Sequence, residues 1–81
     1  MRGKEREKER LEKQTKKVLQ KIIDRRTALG ITQWDLSEHL NLTSSGYFKI
    51  EKGYNKLDTF RLFEILEKLE ITAEDFFKGI K

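Results

Sequence analysis

Apolar side chains are sparse at the start of this chain and then recur at helical spacing. Across residues 2–17, mostly Lys, Arg, Glu and Gln, Leu11 is the one large apolar side chain. High helix propensity without an apolar face predicts either a solvated extension of the first helix or a frayed arm. From Val18 the pattern becomes amphipathic, with Val18, Leu19, Ile22, Ile23 and Arg26 on one side. Gly30 stands where a helix closes through a left-handed residue. Thr32 then opens a second helix, with Asp35 three positions on to complete a capping box, and Leu36 and Leu40 form its buried face. Asn41 and Leu42 make the turn, and Thr43 is the next N-cap. A third helix runs from Ser44 to about Lys52, with Tyr47 and Ile50 inward and Gly53 as its stop. Asp58 caps a fourth helix carrying Leu62, Phe63, Ile65, Leu66 and Leu69. Thr72 caps a short fifth, with Glu74 and Asp75 in its first turn and Phe76 and Phe77 beyond. The expectation is an all-α, five-helix domain over residues 18–81, preceded by a charged helical extension or arm over residues 1–17.

Composition narrows the chemistry. The 81 residues contain no cysteine and a single histidine, His39, so disulfides and thiolate metal sites are excluded and no metal cluster can form around that imidazole. His39 is expected at the surface without a partner. No Gly-rich phosphate loop and no nucleophile–base pair is visible, so neither enzymatic activity nor a cofactor is expected. The longest apolar runs fall well short of a membrane span, and the N-terminus lacks the apolar centre of a signal peptide, which points to a cytoplasmic protein.

Charge adds a direction to this picture. Of the net +4, residues 1–17 hold eight basic against four acidic groups, and the rest balances at ten of each. Within that balanced part, Lys49, Lys52 and Lys56 oppose Glu51 alone. Glu64, Glu67, Glu70, Glu74 and Asp75 oppose only Lys68. A fold that is basic at one end and acidic at the other orients itself on a polyanion.

The run Gly30-Ile31-Thr32-Gln33-Trp34-Asp35-Leu36-Ser37-Glu38-His39-Leu40-Asn41-Leu42-Thr43, followed by a helix ending Ile50-Glu51-Lys52-Gly53, is similar to the lambda-repressor-like, Cro/CI-type (Xre) helix-turn-helix family. The resemblance extends over roughly Val18 to Phe77 without insertions. It implies sequence-specific recognition of double-stranded DNA in transcription regulation, commonly repression, by a homodimer on a two-fold symmetric operator. With one domain expected, control would come from concentration, a partner or competition at the operator. A protein-interaction module of antitoxin or adaptor type on the same fold is the alternative.

A recognition helix exposes one face of its first turns to base edges while the other face holds the core. With Tyr47 and Ile50 inward, Ser44, Ser45, Phe48 and Lys49 point outward. Helix starts at Thr32/Gln33 and Thr43/Ser44 offer free N–H groups suited to phosphate. The resemblance makes Gln33 a backbone contact and a brace for the recognition helix. It puts Ser44, Ser45 and Phe48 at base-reading positions, Lys49 at a phosphate or rim position, and Tyr54, Asn55 and Lys56 in a loop that touches phosphates. The predicted DNA surface is therefore Thr32, Gln33, Thr43, Ser44, Ser45, Phe48, Lys49, Tyr54, Asn55 and Lys56.

Departures from the family pattern are Ser44, shorter than the usual side chain, Phe48 in place of a small or polar residue, Leu57 in place of proline, and Trp34. The indole is expected to cover the first helix or to lie near the sugar-phosphate backbone. The resemblance also implies that Arg26 and Glu51 pair, tying the first helix to the end of the third. Val18, Leu62, Ile65 and Leu69 are expected to be core or helix-packing residues. A short last helix has limited surface to bury Phe76, Phe77 and Ile80 together, so one of the two phenylalanines is expected to close the core and this end is the expected dimer interface.

Overall fold

A computed structural model describes residues 2–80, with side chains from Glu5. Five helices follow one another: α1 (Arg2–Ala28), α2 (Gln33–His39), α3 (Ser44–Glu51), α4 (Thr59–Lys68) and α5 (Ala73–Lys78). No strand occurs among the described residues. The charged N-terminal segment is continuous with α1, and its side chains from Glu5 to Lys17 are all exposed, so it stands off the domain as a stalk.

Three of the connections use one three-residue joint: a residue at positive φ, an apolar residue, and a Thr N-cap. They are Gly30-Ile31-Thr32, Asn41-Leu42-Thr43 and Glu70-Ile71-Thr72, with φ of 71°, 56° and 55° at the first position. In each, the N–H of the apolar residue reaches back to the carbonyl five residues earlier (Ile31 to Arg26, 2.9 Å; Leu42 to Ser37, 2.8 Å; Ile71 to Leu66, 3.2 Å). This is the Schellman closure, which satisfies carbonyls the helix end would otherwise leave open. The apolar residue packs on the core, and the Thr hydroxyl accepts from the backbone N–H three residues on. Gly53 closes α3 the same way, with the N–H of Tyr54 reaching Lys49 O at 2.8 Å.

Leu19, Ile22, Leu36, Leu40, Tyr47, Ile65, Leu66, Leu69 and Phe76 form the core, and α1 binds the rest together with three cations. Lys21 Nζ donates to the Phe76 carbonyl and lies 5.3 Å from that ring's centre. Arg25 donates to the carbonyls of Leu69 (2.8 Å) and Glu70 (3.1 Å), where α4 ends. Arg26 donates to Ile31 O (3.0 Å) and to Glu51 at the end of α3. Lys21 and Arg25 thus answer the negative ends of α5 and α4, and Arg26 answers the Glu51 carboxylate at the end of α3.

Several expectations need correction. Phe63 is 55% exposed because it faces away from the stripe of Leu62, Ile65, Leu66 and Leu69 that meets the core. Val18 and Leu62 pack against the core from its edge, as helix-packing residues, while Ile65 and Leu69 lie within it. Phe76 is fully buried and is the one of the two phenylalanines that closes the core. Ile80 is half-buried against the core, and Phe77, 42% exposed, is the ring left outside. His39 has a partner after all, its Nε2 lying 3.4 Å from Glu67 Oε1. Leu57, in the place of the usual proline, packs against the core and anchors the loop after α3.

Candidate nucleic-acid interface

Helix α3 is short, eight residues, and its stability comes from how it is held. Thr43 Oγ1 accepts from Gly46 N at 2.9 Å, which leaves the hydroxyl hydrogen free to donate outward. Thr32 does the same for α2, accepting from Asp35 N at 3.0 Å while its own N–H donates to Asp35 Oδ2 at 2.9 Å. These bonds favour the charged Asp35 carboxylate and hold its pKa below the ordinary range.

At the far end of α3, the buried Glu51 carboxylate is shared. Arg26 Nε meets Oε2 at 2.7 Å and Nη2 meets Oε1 at 3.1 Å, a two-pronged contact, and Gln33 Nε2 donates to Oε1 at 2.9 Å. The expected Arg26–Glu51 pair is therefore a triad joining α1, α2 and α3. Gln33 is occupied by this brace and is half-buried. Beneath it Tyr47 is fully buried with no hydrogen bond to its hydroxyl, and burial, then the neighbouring Glu51 carboxylate, pushes the phenol's pKa well up. Tyr47 stays neutral, so the charges at this junction are those of the Arg26–Glu51 pair, which cancel.

With Tyr47, Ile50 and Glu51 turned inward, Ser45, Phe48 and Lys49 are exposed and Ser44 is half-buried. Lys52 lies with its Nζ 5.5 Å from the centre of the Phe48 ring, one turn on. Sequence reasoning did not select Lys52, although an aromatic and a lysine four apart on a helix give the signal. Tyr54, Asn55 and Lys56 are exposed in the loop after α3, and the N–H groups of Tyr54 and Asn55 both bond the Lys49 carbonyl, at 2.8 and 3.2 Å, so this loop is fixed to the helix end.

A shallow depression joins the end of α1 to the starts of α2 and α3, lined by Arg26, Thr27, Ile31, Gln33, Trp34 and Ser44. Trp34 is 59% exposed at the rim of this depression, across from Arg26 and Thr27 at the end of α1. All ten sequence-selected residues have places on the α2–α3 unit or the loop that follows it. None of them lies in the core.

No helix among the described residues is long and apolar enough to cross a membrane, and no group of His, Cys, Asp or Glu among them has the arrangement of a metal site. The pattern defining the Helix-turn-helix family matches residues 22–76. An uncharacterised HTH-type transcriptional regulator of Rickettsia prowazekii (strain Madrid E) is 34% identical over 62 residues, covering 76% of this chain and 48% of that protein. An uncharacterised transcriptional regulator in the ATPase CF(0) region of Rhodospirillum rubrum is 29% identical over 62 residues, covering 76% of this chain and 57% of that protein. The chain spans about half the length of these curated relatives. No solved structure matches it.

Proposed function

Because this chain belongs to the lambda-repressor-like, Cro/CI-type helix-turn-helix family, we propose that it binds duplex DNA sequence-specifically and regulates transcription, as a repressor, by laying α3 in the major groove. The observation that carries this reading is the division of α3. Its inner face is locked to α1 and α2 through the Arg26–Glu51–Gln33 triad, and its outer face presents Ser45, Phe48 and Lys49. A rigidly seated helix with an uncommitted outer face fits groove reading, where the bases supply the partners. Ser44 and Ser45 offer hydroxyls to base edges, Phe48 offers a ring to a thymine methyl, and Lys49 and Lys56 offer charge to phosphates. Thr32, Gln33 and Thr43, at the starts of the two helices, and Tyr54 and Asn55 in the following loop complete the backbone contacts.

The protein acts as a homodimer on a two-fold operator, with Phe77 at the pairing surface and Phe76 and Ile80 supporting it from the core. Two half-sites about 34 Å apart would then be read together. Selection of bound sequences from a random duplex library tests the whole reading. A two-fold symmetric motif is the expected result, and absence of any enriched motif would sink it. A second reading, a protein-interaction module, is favoured by one observation: Trp34 and Phe48 both show large exposed rings on the α2–α3 surface. The same selection decides between them.

A further inference from the structure

Two surfaces remain unexplained by groove reading. The first is on the stalk, where Arg6, Arg10 and Lys13 recur at i, i+4 and i+7 and so form one stripe along α1. None of the three forms an ion pair among the described residues. The second is the outer face of α4. Phe60 and Phe63 are 74% and 55% exposed, and Glu64 and Glu67 lie beside them, again spaced over seven residues. On this face Glu67 has only the His39 contact, and its side chain remains 77% exposed.

We propose that a second copy of this chain occupies the α4 face, each copy laying its stalk, through Arg6, Arg10 and Lys13, along Phe60, Phe63, Glu64 and Glu67 of the other. The chemistry matches: guanidinium and ammonium groups stack on aromatic faces, pair with carboxylates and cover rings with their aliphatic stems. Both stripes span seven helical residues, about 10.5 Å, so their registers agree. The stalk cannot fold back onto its own α4, because α1 is one unbroken helix to Ala28. The two surfaces nevertheless leave from one corner, since Thr15 of α1, Asp58 and Thr59 at the start of α4, and Phe77 line a common groove. Two copies meeting at that corner exchange stalks reciprocally, as an isologous contact requires. A DNA backbone is a poorer occupant for the stripe, since Glu5, Glu9 and Glu12 run beside it at the same spacing and would face phosphate.

This inference deepens the homodimer proposed above and does not depend on the DNA reading. The chain has no cysteine, so engineered thiols report cleanly. Arg10→Cys and Phe63→Cys chains, each checked for native helicity by circular dichroism, are mixed and oxidised gently in the absence of DNA. In an equimolar mixture, a disulfide-linked heterodimer exceeding the two homodimers together, the share that random pairing gives, is expected. In parallel, Glu64→Lys with Glu67→Lys raises the dimer dissociation constant about tenfold in sedimentation, and added salt weakens the parent dimer in the same direction. Preferential Arg10→Cys self-linking would mean stalk-on-stalk pairing, and preferential Phe63→Cys self-linking would mean α4-on-α4 pairing; either overturns the inference while leaving a dimer. A parent chain that stays monomeric overturns both the inference and the homodimer. Stalk protection from proteolysis only when duplex DNA is added would assign the stripe to DNA instead.

Discussion

Glu51 is the residue on which the seat of α3 turns. Its side chain is 3% exposed, and a buried carboxylate is tolerated only when its charge and lone pairs are answered. Arg26 answers the charge and Gln33 fills a remaining position, so the two should differ in what their loss costs. Arg26→Ala leaves the carboxylate buried and unpaired, which typically costs about 3–5 kcal/mol, a large part of the stability of a domain this size. Thermal melting at neutral pH should show a steep loss, and a melting temperature near the parent's would mean the pair contributes little. Gln33→Ala removes one hydrogen bond to a charged group, about 1.5–3 kcal/mol. The Gln33→Ala domain should still fold, and its DNA affinity should fall because α2 and α3 are no longer braced against each other.

Among the elements, the repeated joint makes a sharper prediction than any helix interior. Glu70 holds φ of 55°, a conformation glycine adopts without penalty, and the two contacts made by its backbone do not involve its side chain. Glu70→Gly should therefore stabilise the domain by about 0.5–1 kcal/mol in denaturant unfolding, net of the extra freedom glycine gives the unfolded chain. Asp35 makes a pH-dependent counterpart. Its folded pKa lies below the unfolded value of 3.8, so its contribution is complete above that value and disappears as the pH falls through the folded one. The stability gap between the parent and Asp35→Ala should be constant near neutrality and narrow below about pH 4; a gap that widens in acid would contradict the capping box. The caps, the turn residues and the inward positions of α2 and α3 were legible in the sequence because each rests on neighbours within about four residues. Lys21 and Arg25 were not, since the carbonyls they serve lie 55 and 44 residues away and leave no local signature. Phe63 misled for a related reason: α4 carries more apolar residues than one helix face can bury, and periodicity alone does not say which ring is left over.

For the whole molecule, charge and shape divide the labour of DNA recognition, and the division can be measured. Lys49 and Lys56 flank the outer face of α3 and the loop pinned to its end, while five acids gather on α4 and α5 and in the joint between them. On the proposed reading, a duplex would be attracted to the basic side and repelled from the acidic side, which favours an approach with α3 toward the groove. Lysines that meet phosphates act through released counterions. Lys49→Ala should lower the slope of log affinity against log salt by about one unit and leave the preferred sequence unchanged. Phe48 should behave in the opposite way. Its ring carries no charge, and the Lys52 ammonium over it fixes one edge, so Phe48→Ala should leave the salt slope alone and relax the preference at one position per half-site, costing about 1–3 kcal/mol there. Measuring both variants on the selected operator and on a scrambled duplex separates the two effects. If Phe48→Ala weakens both duplexes equally, the ring supports the helix rather than reading a base. If Lys49→Ala keeps the parental slope, its ammonium stays in solvent and the phosphate contacts must come from the loop at Tyr54–Lys56.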